Sequence, residues 1–342
     1  MKRHILILTA TLSMGISAFA QQSTERRINI GLVPPLSSNG AVASKYTNSF
    51  SLNAIAGLSA GETGFALAGF GNFVRNNADG VLIAGFMNTS GIGHGFELAG
   101  FGNFVKNSSA TQIAGFINVG GNASGFQLAG FTNVAKAVNG VQVSGFGNKA
   151  DNVHGTQIGG FFNKAKTVHG TQIAGFINIA DTADCQIGLV NLSKNGEVSL
   201  GFVVDENRTA LLSLRSGGKL IYGIIGMGYN LADIKNEYAY EAGFGVHLLN
   251  LEPFRLNAEL TNTALLNFKG SDYYKAAFAV LPSIKLGKNV DLFAGPSFAF
   301  VQSNSNEDIM RQKHYISSWG GRKDYDFRGF YIGYDAGIAF RL

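Results

Sequence analysis

The feature that most restricts this chain is an internal repeat. Gly-Phe-x-Asn occurs at Gly69-Phe70-x-Asn72 and begins again at Gly85, Gly100, Gly115, Gly130, Gly145, Gly160 and Gly175. The first step is 16 residues and the next six are 15. Aligned on that glycine, the unit reads Gly-(Phe/Val/Thr)-Gln-(Ile/Leu/Val)-Ala-Gly-Phe-x-Asn, followed by a short variable stretch. Gln fills its slot at Gln112, Gln127, Gln142, Gln157 and Gln172. Degenerate copies flank the array, at Ile55-Ala56-Gly57-Leu58 upstream and at Gly188-Leu189-Val190-Asn191 and Gly201-Phe202 downstream, with no linker between. A fixed short period means that each unit is one supersecondary element, stable only against its neighbours.

Each unit suits one strand and a turn. Charges and turn formers concentrate in variable stretches such as Arg75-Asn76-Asn77-Ala78-Asp79 and Asp151-Asn152-Val153-His154. Period-two alternation then puts Phe96, Leu98, Gly100, Gly102 and Phe104 on one face and Glu97, Ala99, Phe101 and Asn103 on the other. Two packings follow. In a meander each repeat is a strand antiparallel to the next, with Gln, Ala, Phe and Asn facing a lumen and the other face toward lipid. In a β-solenoid each repeat is one coil, with a corner at Ala-Gly, Ile and Phe inside, and Asn stacked in a ladder.

The constant step favours the solenoid, because barrel loops vary in length. Three observations favour the meander. Phe65/Leu67, Phe96/Leu98 and Phe126/Leu128 alternate with Val81/Ile83, Thr111/Ile113 and Val141/Val143, a 30-residue super-period that hairpins would produce. The array has no separate capping segment, which solenoids need. The C-terminal flank also reads as barrel strands. Phe254, Leu256, Ala258 and Leu260 alternate with Arg255, Asn257, Glu259 and Thr261, and Val290, Leu292 and Ala294 with Asp291, Phe293 and Gly295. Most regular is the last strand, with Phe330, Ile332, Tyr334, Ala336, Ile338, Phe340 and Leu342 on one face and Tyr331, Gly333, Asp335, Gly337, Ala339 and Arg341 on the other. The expected fold is therefore all-β: a large antiparallel outer-membrane-type barrel of roughly 18 to 20 strands that contains the repeats. The alternative is a solenoid of 15-residue coils joined to a smaller C-terminal barrel of about eight strands. The expected division is a signal peptide over 1–20, N-terminal strands over 21–56, the repeat array over 57–204 and barrel-like strands over 205–342.

Composition agrees. Glycine numbers 46, and charged residues are 14% of the chain, where a soluble domain carries about 25%. So few charges beside 27 Phe argue against disorder. After the first twenty positions no apolar run is long enough for a transmembrane helix. Residues 1–20 read as a secretory signal, with Lys2 and Arg3, an apolar Ile5 to Phe19, and Ala18-Phe19-Ala20 before Gln21. Its removal lowers the net charge from +5 to +3, since Lys2 and Arg3 are its two formal charges. The remaining basic residues are scattered, which excludes a nucleic-acid footprint. Cys185 is the single cysteine, so no internal disulfide is available.

The repeat, the exported N-terminus and the Leu32-Val33-Pro34-Pro35-Leu36 opening resemble a family of bacterial surface-repeat proteins. That family is built from Gly-x-Gln-x-x-Gly-(Leu/Phe)-x-Asn units and found in Gram-negative outer membranes and envelopes. The likeness covers roughly residues 28–204. This chain departs by preferring Phe after the glycine and by carrying Ala66, Leu82 and Glu97 in the Gln slot of the first three units. The resemblance implies an envelope location and carries no functional residues over.

Chemistry is sparse. His94, His154 and His169 share one turn position, and only His154 and His169 are in adjacent units, too few ligands for a metal site. Ser216-Gly217-Gly218-Lys219-Leu220 lacks the spacing of a phosphate loop and reads as a turn. The carboxylates are too dispersed to nominate an acid/base pair. No residue is assigned a catalytic, cofactor-binding or metal-ligating role, no cofactor is implied, and the chain is read as non-enzymatic. The expected partners are outer-membrane lipid and an extracellular glycan or protein ligand, for which the long segment from Ser303 to Arg328 with Tyr315, Trp319, Arg322, Lys323 and Tyr325 is the candidate contact or lumen plug. The expected role is a structural or pore-type outer-membrane protein at the cell surface, the alternative being an adhesin that presents its repeats.

Overall fold

A computed structural model describes residues 24–218, 220–232, 238–266, 272–303, 314–320 and 327–342. The expected signal segment lies outside them. The protein has two parts: a parallel β-solenoid of about ten turns and a closed antiparallel barrel of eight strands. A single large barrel is therefore the wrong arrangement. Adjacent repeats run parallel, with Asn152–Gly159 beside Thr167–Ala174 and Gln157 directly opposite Gln172.

Each coil turns three corners. In one coil, Asn152-Val153-His154 forms one side, Gly155 bends the chain, Thr156–Gly159 forms the next, Gly160-Phe161 bends it again, and Phe162–Lys164 forms the third. Two glycine columns make this possible. Gly125, Gly140, Gly155 and Gly170 hold φ between 132° and 148°, where a side chain would strain the backbone. At Gly100, Gly115, Gly130, Gly145 and Gly160 a Cβ would come within 3.0 Å of the carbonyl oxygen of the glycine one coil earlier. The repeated glycine thus serves the close stacking of corners.

The expected Asn ladder forms, but the interior is not filled by Ile and Phe as the solenoid reading expects. Gln142, Asn148 and Val153 are fully buried, with Ser144 and Ala150 beside them, whereas Phe146 is 39% exposed. Alternation holds within a side, but the Gly-Phe bend resets its parity. The phenylalanine that period two places with Ala and Asn therefore swings outward, and the Ile or Leu two residues before the glycine faces out as well, with Leu98 and Ile158 exposed. The outer phenylalanines still stack, with ring centroids 4.8 Å apart for Phe116–Phe131 and Phe131–Phe146.

Polar side chains survive inside because they satisfy one another. Each Gln amide donates to the Gln one coil earlier, from Gln186 to Gln172 at 2.8 Å through Gln127 to Gln112 at 2.6 Å. Each Asn donates the other way, from Asn72 to Asn88 at 2.9 Å through Asn178 to Asn191 at 2.9 Å. The second Asn N–H reaches a backbone carbonyl of the next coil, as in Asn118 to Leu128 at 2.9 Å. The two rows of amide dipoles oppose each other.

The super-period also has a packing explanation. Parallel register places Phe96 between Val81 and Thr111, and Phe126 between Thr111 and Val141. Large and small side chains thus alternate along the outer column, with no hairpin needed.

The barrel strands are Glu197–Asp205, Thr209–Gly217, Ile221–Asn230, Tyr238–Leu251, Phe254–Leu266, Asp272–Leu286, Val290–Ser303 and Phe327–Arg341. The last pairs back to the first through Ser199↔Arg341 to Asp205↔Asp335, closing the barrel. The expected C-terminal strand and its two faces are as read from the sequence: Tyr331 and Ala339 point inward and are buried, while Ile332, Tyr334, Phe340 and Leu342 face out.

The missing solenoid cap is the barrel itself. Asn191, the last of its ladder, donates from its backbone N–H to Ser216 Oγ at 2.9 Å and from Nδ2 to the Ser216 carbonyl at 3.1 Å. That carbonyl stands where the next coil's carbonyl would be.

Candidate functional site

The barrel is polar inside and apolar outside. Period two, applied to eight strands, sends Arg215, Arg255, Lys275 and Arg341 inward together with Glu197, Asp205, Glu241, Glu259, Asp291 and Asp335. These groups pair rather than line an open channel. Arg215 holds Glu259 bidentately, with both bonds at 2.9 Å, and Tyr222 donates to the same carboxylate at 2.8 Å. Arg255 grips Glu197 at 2.7 and 3.0 Å. Toward the other rim Lys275 Nζ lies 2.6 Å from Asp205, 3.4 Å from Glu206 and 4.0 Å from Asp335, and Tyr331 donates to Glu206 at 2.7 Å. Sequence separation hid these clusters: the residues around Lys275 come from three strands and a turn. The dispersed carboxylates of the sequence are thus gathered. An internal cavity of about 40 Å³, bordered by Glu197, Arg215, His247 and Glu259, holds little more than water. An eight-stranded barrel has just enough width for its side chains to fill it.

The outer wall carries Phe202, Leu212, Met227, Leu260, Phe278, Ile332 and Tyr334, all half-exposed or more. From Phe330 to Phe340 the last strand covers about 25 Å along the barrel axis, at ~3.3 Å per residue and ~40° tilt. Exposed Tyr229, Tyr238, Tyr240, Tyr274 and Trp319 gather at one rim. The strand connections there span residues 206–208, 231–237, 267–271 and 304–326, against 218–220, 252–253 and 287–289 at the opposite rim, where both ends of the barrel segment also lie.

Of the segment from Ser303 to Arg328, Tyr315–Trp319 pairs with the last strand. Trp319 turns outward onto Phe330 at 5.6 Å and Phe300 at 6.1 Å, whereas Tyr315 packs edge-on against the inward Tyr331 at 5.7 Å. One aromatic joins the outer belt and the other sits over the lumen. Arg322, Lys323 and Tyr325 lie outside the described residues.

The solenoid surface is similarly segregated. Two of its three sides and the Phe ridge between them are mainly apolar. The third carries Lys106, Asn107, Asn122, Lys136, Asp151, Asn152, Lys166 and Asp181. Charges there pair across rungs, Lys166 with Asp151 at 3.1 Å and Lys194 with Asp181 at 2.9 Å. His154 and His169 are neighbours on this side, with ring centroids 4.9 Å apart and planes tilted by 37°. Cys185 is half-buried in the last coil and opposite Thr171. Gly217 ends a strand and the Gly218 N–H bonds the Ile221 carbonyl at 3.0 Å, so the glycine pair is a turn; Lys219 lies outside the described residues.

Glu97 explains a departure from the repeat. Its carboxylate receives Gln112 Nε2 at 2.7 Å and Ser90 Oγ at 3.2 Å, ending the Gln ladder with an acceptor. Burial raises its pKa above the ordinary carboxylate range, and the two hydrogen bonds oppose that shift. The proton is thus bound more tightly in the folded state. Stability from this group is fully present below the unfolded value of 4.5 and falls as pH rises through the folded value. Glu97→Gln keeps an acceptor for Gln112 and a donor for Ser90, so the variant is expected to melt higher than the parent at neutral pH. Thermal melts at pH 4 and pH 7 check this: the gap between the two proteins should shrink at the lower pH.

No family model, curated protein or solved structure matches the chain.

Proposed function

We propose that the chain is a non-enzymatic outer-membrane protein in which the barrel is a lipid-embedded anchor and the repeat array is the part it holds in place. The observation that carries this reading is the polarity of the barrel, whose ion pairs face inward and whose apolar side chains face outward over about 25 Å, the height of a bilayer's apolar band. An even strand count, an aromatic rim and unequal connection lengths fit the same reading. The secretory-type N-terminus and the resemblance to envelope repeat proteins support it independently. Filling of the lumen by paired charges favours a structural role over a pore.

Expression with its own leader in a Gram-negative host tests this. The protein is expected to stay with the outer-membrane fraction after an alkaline wash and to require detergent for extraction. Purified protein in a planar bilayer should give no stepwise conductance. A chain that stays soluble without detergent contradicts the anchor, and reproducible ion conduction contradicts the closed lumen.

A further inference from the structure

We propose that the solenoid lies flat in the lipid leaflet on the short-connection side of the barrel, with its Phe ridge and two apolar sides among the acyl chains. This inference rests on the anchor reading and extends it to the repeats. A ridge flanked by two apolar sides, with a polar third side opposite, is the cross-section of an interfacial element. It is a wide counterpart of the amphipathic helix that lies in the membrane plane.

Three observations carry it. The first is the size of the surface. About ten coils at ~4.8 Å spacing form a prism ~48 Å long, so two sides each ~13 Å wide expose roughly 1,200 Å². The largest apolar patch of a typical monomer is about 300–600 Å². Leu67, Leu98, Ile158, Phe70, Phe86 and the ridge phenylalanines from Phe116 to Phe176 are 36–45% exposed on it, with Phe101 half-buried between its neighbours.

The second is where the array joins the barrel. Ser216 and Gly223 are opposite each other on the outward face of the wall, and both are buried because the last coil covers them. A Cβ on Gly223 would run into the Gly188 and Leu189 carbonyls. Thr182–Ile187 and Val190–Leu192 supply the packing against the second and third barrel strands. The array therefore leaves through the side of the barrel, near the short-connection rim, at the level of the apolar wall. Directly above the junction, Leu212 and Met227 continue the exposed apolar surface.

The third is the charge distribution. Lys106, Lys136, Asp151, Lys166 and Asp181 lie on or beside the polar side. Lys149 and Lys164 stand one residue from its corner, where a long side chain can reach water. In outer-membrane barrels the short connections are periplasmic, which places this polar side toward the periplasm instead of displaying the repeats at the cell surface.

The test uses the full chain in vesicles, in a Cys185→Ser background. Single variants Phe131→Cys on the ridge, Asn122→Cys on the polar side and Met227→Cys on the barrel wall each carry an environment-sensitive fluorophore. Lipids brominated in the acyl chain should quench the labels at 131 and 227 severalfold more than the label at 122, and aqueous iodide should show the reverse order. Quenching at 227 with an iodide-accessible label at 131 overturns the inference while leaving the anchor intact. Loss of acyl-chain quenching at both positions overturns the anchor as well. A label at 131 shielded from both quenchers means that a second copy or another protein covers the ridge, which also contradicts lipid contact. On intact cells a membrane-impermeant thiol reagent should leave Asn122→Cys unmodified until the outer membrane is opened. Modification of intact cells contradicts the periplasmic placement.

Discussion

Gly130→Val is expected to open the array between two coils. The added Cβ would fall within 3.0 Å of the Gly115 carbonyl, and the next coil repeats the same contact at Gly145. Nothing flexible can yield, because the obstacle is backbone. The Gly130 N–H bonds the Ala114 carbonyl at 3.1 Å and the Phe131 N–H bonds the Phe116 carbonyl at 3.0 Å, so parting the corners breaks both bonds. It also strains the amide ladders beside them. Several backbone bonds at ~1 kcal/mol each, with buried amides left unpaired at ~1–3 kcal/mol each, give a loss of about 4 kcal/mol or more. Equilibrium denaturation in detergent and protease sensitivity around residue 130 measure it. Gly218→Ala is the control, since the nearest atom to its Cβ is 4.0 Å away, and should change stability little.

Lys275→Met should damage the barrel to a similar degree by a different route. Lys275 is 2% exposed and faces Asp205, Glu206 and Asp335. Removing the cation leaves three carboxyl groups confronting one another in a closed interior. Breaking one partner out of a buried ion cluster costs about 3–5 kcal/mol. The measurement is the unfolding midpoint of the detergent-solubilised protein, and adding Asp205→Asn should recover part of the loss. Lys166→Met removes an exposed pair with Asp151 and should stay within about 0.5 kcal/mol of the parent.

The sequence was most legible where one local rule operates throughout. Alternation along Phe330 to Leu342 predicted the closing strand and both its faces, because a straight strand preserves parity from end to end. The Asn column was also readable as a ladder, given a solenoid. What misled was the bend. Phe101 and Asn103 share parity on paper, but Gly100-Phe101 is a corner, so Phe101 points out while Asn103 is fully buried. The direction of neighbouring repeats was hidden as well, because alternation within one strand is the same beside a parallel or an antiparallel partner. Glu97 stood out as an irregular unit, yet its use as a ladder terminus depends on which way the Gln amides donate, and that appears only in three dimensions. In the barrel the inward face of each strand was readable, whereas the pairing of Lys275 with Asp205 joins residues 70 positions apart.

The parallel stacking of repeats defines the solenoid, and one cross-link tests it directly. Asn107 and Asn122 occupy adjacent rungs, with Asn122 Nδ2 donating to Asn107 Oδ1 at 2.9 Å. In an antiparallel meander, positions one repeat apart would instead lie at opposite ends of neighbouring strands, about 30 Å apart for nine residues at ~3.3 Å. The double variant Asn107→Cys/Asn122→Cys, in a Cys185→Ser background, should form an intramolecular disulfide rapidly under mild oxidation, seen as a mobility shift reversed by reductant. Absence of that disulfide, with spin labels at the same two positions reporting a separation near 30 Å, would contradict the solenoid.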